Sequence, residues 1–96
     1  MGLLNFIKRR KNENSPEARR RFLLQYGRIT DAVIVECETN DIGEEIAHYV
    51  YSIHGVDFES SEFLTEEQRK DRLKYAPGAT VGVRFDPKNH GNSIII

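Results

Sequence analysis

The stretch Tyr75-Ala76-Pro77-Gly78-Ala79-Thr80-Val81-Gly82-Val83-Arg84-Phe85-Asp86-Pro87 spells a turn, a strand and a second turn. Pro77 presets φ and Gly78 tolerates positive φ, the combination that fills the centre of a type II turn. Ala79, Val81, Val83 and Phe85 then alternate with Thr80, Gly82 and Arg84, the period of a strand with one buried face. Pro87 has no backbone donor and steers Asp86 away from helix, so the ladder is expected to stop there. A loop over Pro87 to Asn92 and a last short strand from Ser93 to Ile96 should follow. The run Ile94-Ile95-Ile96 has to be tied into the sheet, because an exposed apolar edge invites aggregation.

Upstream, Leu64-Thr65-Glu66-Glu67-Gln68 marks a helix start, with Thr65 as cap and Gln68 at the reciprocal capping-box position. The helix it opens is polar almost throughout and is expected to lie outside the core, anchored mainly by Leu73. Before it, the run from Glu45 to Phe63 reads as a hairpin turning at His54-Gly55. That turn pairs Ile53 with Val56, Tyr51 with Phe58 and Tyr49 with Ser60 on one face. Ser52 then meets Asp57, Val50 meets Glu59 and His48 meets Ser61 on the other. The first set is nearly all apolar or aromatic and the second mostly polar, a sorting that a slip of one residue would undo. Arg28 to Glu38 is rich in β-branched residues and apolar on both parities, which suits a strand covered on both faces at its centre.

Ser15-Pro16-Glu17 is a helix start with a capping hydroxyl, proline at the first helical position and an acid near the positive end of the dipole. Ala18, Phe22 and Tyr26 recur at helical spacing with Leu23 beside them, Arg19, Arg20 and Arg21 fill the other side, and Gly27 stops the run. The chain therefore divides into a basic helical arm, residues 1–27, and a small β domain, residues 28–96. The expected fold is mainly β: a small five-stranded antiparallel sheet or partly open barrel, with one short helix before the fourth strand.

The 96 residues suffice for one domain. Cys37, the single cysteine, stands in an apolar run as a small hydrophobe and not as a reactive thiol. No apolar run reaches the roughly 18 residues that cross a bilayer, and the N-terminal apolar residues precede the basic ones, the reverse of a secretory signal. A cytoplasmic protein is expected. The net charge of −1 hides an asymmetry: residues 1–28 hold eight Lys and Arg against two acids, and the rest six against thirteen.

From about Leu23 onward the chain resembles a widespread bacterial family of unknown function. The resemblance rests on Ala32-Val33-Ile34-Val35 in the first strand, Tyr49-Val50-Tyr51-Ser52-Ile53-His54-Gly55 in the hairpin, and Tyr75 to Pro87. It implies a small β domain, often attached to membrane helices in relatives, and no shared activity. This chain departs from the pattern at Phe85, where Tyr is usual, at His90, where a second Pro is frequent, and in showing no membrane helix.

Chemistry is sparse. His48 and His54 share the outward parity of one strand but stand roughly 20 Å apart, too far to share an ion. Asp86 and His90 could pair locally, yet no Ser or Cys has a nucleophile's setting, and Asp86 fits better as the organiser of its own turn. Glycine loops of the phosphate-binding kind are absent. Tyr49, Tyr51, Phe58 and Phe85 share parity with Ile53, Val56, Val81 and Val83 and so belong to the core, not to a stacking platform for nucleic acid. No catalytic residue, metal, cofactor or small-molecule substrate is expected.

The function expected is that of a protein-binding or accessory module with an unidentified partner, with Asp57 and Glu59 on the outer hairpin face as its candidate surface. The alternatives use the arm. Lys8, Arg9, Arg10, Lys11, Arg19, Arg20 and Arg21 could contact an anionic membrane at its inner face, next to apolar Leu3, Leu4, Phe6 and Ile7, or nucleic acid, which the acidic domain disfavours. For residues 16–26 the helical spacing favours docking on the domain itself, burying Phe22 and Leu23.

Overall fold

The computed structural model describes residues 15–96. Helix α1 (Pro16–Tyr26) leads into β1 (Arg28–Thr39), β2 (Glu45–Ile53), β3 (Val56–Phe63), the short helix α2 (Glu66–Lys70), β4 (Thr80–Asp86) and β5 (Asn89–Ile95). The five strands form one antiparallel sheet in the order β3-β2-β1-β4-β5, coiled into a nearly closed barrel. Its interior holds Ala32, Ile34, Ala47, Tyr49, Tyr51, Ile53, Val81, Val83, Phe85 and Ile95, with Leu64 and Tyr75 at one end.

Local chemistry accounts for the turns. The Ala79 N–H donates to the Ala76 carbonyl at 2.9 Å across Pro77-Gly78, with Gly78 at φ 90°, and the Gly78 N–H donates to Ile34 on β1. The hairpin register is the one read from side-chain alternation, pair for pair from Ile53↔Val56 to His48↔Ser61, through a turn in which His54 and Gly55 both take positive φ. Thr65 and Gln68 form the reciprocal capping box. Asp86 accepts from the Lys88 N–H at 2.8 Å, the local turn its position suggested.

Several expectations are corrected. β1 is covered on its inner face only: Ala32 and Ile34 are buried, whereas Ile29, Val33 and Val35 are exposed. A bulge between Ile34 and Glu36 then shifts the alternation, so Cys37 turns inward and packs against the core. The stretch after Pro87 is not a loop of six residues, because β5 begins at Asn89 and pairs back onto β4 through a tight turn. Leu73 is 88% exposed and anchors nothing; α2 ends at Lys70, and Leu64 and Tyr75 on either side of it carry the burial. On α1 only Leu23 is buried, with Phe22 left 43% exposed.

α1 lies over the outside of β4 and β5. Along β5, Ser93 and Ile95 point into the barrel, so Ile94 points out, and it is fully buried together with Leu23 beneath the helix. Ile96 folds its side chain over Gly82, where an added Cβ would come within 3.2 Å of it. The terminal isoleucines are thus held on both faces of the sheet.

Candidate functional site

Three groups of polar side chains stand out, and two of them are absorbed by the fold. The first is the seam between β3 and β5, the two ends of the sheet, which face each other without a shared backbone ladder. Side chains close it. The Glu62 carboxylate accepts the Ile95 N–H at 2.6 Å and lies 3.5 Å from the Arg20 guanidinium. Arg19 donates to the Ser93 carbonyl at 2.9 Å and to Asn92 at 3.2 Å, while the Tyr51 hydroxyl donates to the His90 carbonyl. The Tyr49 hydroxyl and Ser93 Oγ, 2.8 Å apart, satisfy each other inside. Burial pushes the Glu62 carboxyl above the usual carboxylate range, against the opposing pull of the Ile95 amide and the two arginines. Burial likewise raises Tyr49 and Tyr51. Each of these groups has a structural partner.

The second group sits at one mouth of the barrel. His90 lies edge-on to both Phe58 and Phe85, with ring centroids 5.9 and 5.4 Å away, and its ring is 6.3 Å from that of His54. β5 brings His54 and His90 together, a proximity hidden from the sequence because the last strand reads as a loop. Asp86 is turned to its own loop and forms no pair with His90. Among the described residues no group of three or more His, Cys, Asp or Glu could hold a metal ion. Cys37 donates its S–H to the Tyr75 carbonyl at 3.3 Å, and burial, with Glu45 and Glu36 nearby, raises its pKa, which keeps it in the unreactive thiol form.

The third group is the outer face of β1, β2 and β3, which no other described element covers. The register sets Val33 opposite Val50 and Val50 opposite Glu59, with Val35 on the bulge beside them. Val33 is 41% and Val35 53% exposed. Acids surround this strip: Asp31 and Asp57 at one end, Glu59 along one side, Glu36 and Glu38 at the other end. No Lys or Arg occupies an outward position on these strands between Asp31 and Phe63. His48 is held in place, one ring nitrogen 2.6 Å from Glu38 and the other 2.5 Å from Ser61. Two shallow depressions of about 420 and 450 Å3 flank Val50, one bordered by Asp31, Val33, Asp57 and Glu59, the other by Val35, Glu36 and Glu59. The candidate residues Asp57 and Glu59 are both exposed here, and Ser52 donates to Asp57 across the hairpin. The sequence reading placed Asp57, Glu59 and Val50 on this outer face but missed Val33 and Val35. Their outward parity could have been read once β1 was known to be covered on one face only.

The arm residues separate. Arg19 and Arg20 reach for acceptors on the domain, Arg21 is exposed, and Lys8, Arg9, Arg10 and Lys11 lie outside the described residues. No described helix is long and apolar enough to cross a membrane.

A small antiparallel barrel whose ends are joined by side chains, carrying a helix on one half of its outer wall and an acid-rimmed apolar strip on the other, defines a small, mainly β domain. Residues 25–96 match the model of a domain of unknown function (DUF3592), and the chain belongs to that family. No curated protein and no solved structure matches the chain.

Proposed function

We propose that this chain is a non-enzymatic module of the cytoplasm that binds another protein through the outer face of its β1–β2–β3 half, around Asp57 and Glu59. The observation that carries the reading is the strip of exposed Val33 and Val35 beside half-buried Val50, bordered by carboxylates and left uncovered by the described residues. An apolar centre with a charged rim is the anatomy of a recognition surface. The largely buried polar groups of the β3–β5 seam, Glu62, Tyr49 and Ser93, are by contrast taken up in holding the barrel together. Reversing both acids, Asp57→Lys with Glu59→Lys, and comparing cross-linked partners from cells is the test. Loss of a partner is expected with the fold intact by circular dichroism, and an unchanged set of partners removes this face from consideration.

A second reading uses the arm at an anionic membrane surface, at the inner face of the bilayer. It is supported by the adjacency of Leu3, Leu4, Phe6 and Ile7 to Lys8–Lys11, with Arg21 exposed nearby in sequence. Each basic residue near an anionic leaflet contributes about 1 kcal/mol at low salt. Sedimentation with anionic vesicles decides it: full-length protein remaining in the supernatant excludes the anchor.

A further inference from the structure

The molecule already shows how its outer wall is covered. On the β4–β5 half, an arginine-bearing helix lays Leu23 over outward-facing Ile94 and sends Arg19 and Arg20 to oxygen acceptors at its edges. The β1–β2–β3 half offers a second site of the same kind: an apolar centre of Val33, Val35 and Val50, and acceptors at its rim in Asp31, Glu36, Asp57 and Glu59. We propose that this half binds a basic amphipathic helix of a partner protein, laid along the strands over Val50. The proposal rests on the reading of this face as the interaction surface and names the class of its occupant.

Three considerations select that occupant. Charge comes first: a rim of carboxylates with no Lys or Arg among its outward positions attracts a cationic segment and repels a second copy of itself or an anionic lipid surface. Backbone accounting comes second. β1 and β2 are paired on both sides, so the centre of this face presents side chains and no free ladder. An extended peptide laid there would gain no backbone partners, whereas a helix satisfies its own backbone and arrives with only side chains to place. Spacing comes third. The two depressions lie on either side of Val50, about one strand repeat of two residues apart, roughly 6–7 Å. Side chains at i and i+4 of a helix stand about 6 Å apart along its axis and can fill both.

The probe is a synthetic 18-residue helical peptide with Leu at i, i+3, i+4 and i+7 and Lys or Arg elsewhere, titrated into the isotope-labelled full-length chain. Two controls accompany it: a scrambled peptide of the same composition, and one with Glu at every basic position. Amide shifts are expected at Val33, Val35, Val50, Asp57 and Glu59 with the amphipathic cationic peptide alone. Glu59→Lys and Val50→Glu, both at outward positions, should each weaken binding about tenfold or more, and raising salt from about 50 to 500 mM should weaken it further. Equal shifts with the scrambled peptide would mean charge without shape and overturn the proposal, as would shifts confined to α1 and β5. A dimer that Val50→Glu dissociates would assign the face to a second copy. Partners lost on reversing Asp57 and Glu59 while the cationic helix fails to bind would keep the interface and discard this occupant. Neither effect would discard both.

Discussion

Glu62 is the residue on which barrel closure turns. Its side chain is 12% exposed and takes the Ile95 N–H that no neighbouring strand accepts, so a carboxylate does the work of a missing ladder bond. Burial costs it more than Arg19 and Arg20 return, and its pKa is raised in the folded state. An acid with a raised folded pKa binds its proton more tightly when folded. Its contribution is therefore fully present below the ordinary carboxylate range and is lost as pH rises through the raised folded value. Glu62→Gln keeps an oxygen for the Ile95 amide and removes the titration. Denaturation profiles measured from about pH 4 to 8 should show the wild type losing stability relative to this variant as pH rises across that window. A constant difference at all pH values would show that desolvation of Glu62 does not govern the seam.

At the scale of elements, α1 buries one side chain, Leu23, and adds the polar contacts of Arg19 and Arg20 at its edge. Leu23→Ala should cost roughly 2–5 kcal/mol, because it opens a cavity over Ile94, whereas Phe22→Ala one position earlier should cost about 1 kcal/mol or less. Chemical denaturation of the two variants checks this, and equal costs would mean that the helix is not seated through Leu23. The sequence expectation paired Phe22 with Leu23 because both fit a helical stripe, and spacing alone does not say how wide the covered stripe is. The hairpin was legible to the residue, since one register sorted polar from apolar on both strands and His54-Gly55 suited the turn. β1 misled because its outward valines lie on a face that the described residues leave uncovered, and because the bulge at Val35 breaks the alternation that would have revealed it. β5 was hidden behind Asn89-His90-Gly91-Asn92, residues that favour turns but are drawn into a strand by pairing with β4. Leu73 looked like an anchor only for a helix longer than the five residues of α2.

Across the whole molecule, the opposition of a basic N-terminal part and an acidic remainder acquires a partial explanation. Arg19 and Arg20 bring positive charge onto the β3–β5 seam, where Glu62 and carbonyl oxygens receive it. The outward acids Asp31, Glu36, Glu38, Asp57 and Glu59 stand on the other half of the wall, and among the described residues the one ion-pair contact they make is that of His48 with Glu38, with Ser52 donating to Asp57. The pairing of Asp57 and Glu59 with a valine strip is not visible in a linear sequence, because β1 and β3 are joined there only through β2. Site-specific photo-cross-linking in cells tests the surface directly, with a photoreactive residue placed at Val50 and, as a control, at Gln25 on the exposed side of α1. A protein adduct formed from position 50, absent from position 25 and lost when Glu59 is reversed to Lys, is the predicted result. The absence of any adduct from position 50, or the same adducts from both positions, would contradict the assignment of this face as the binding surface.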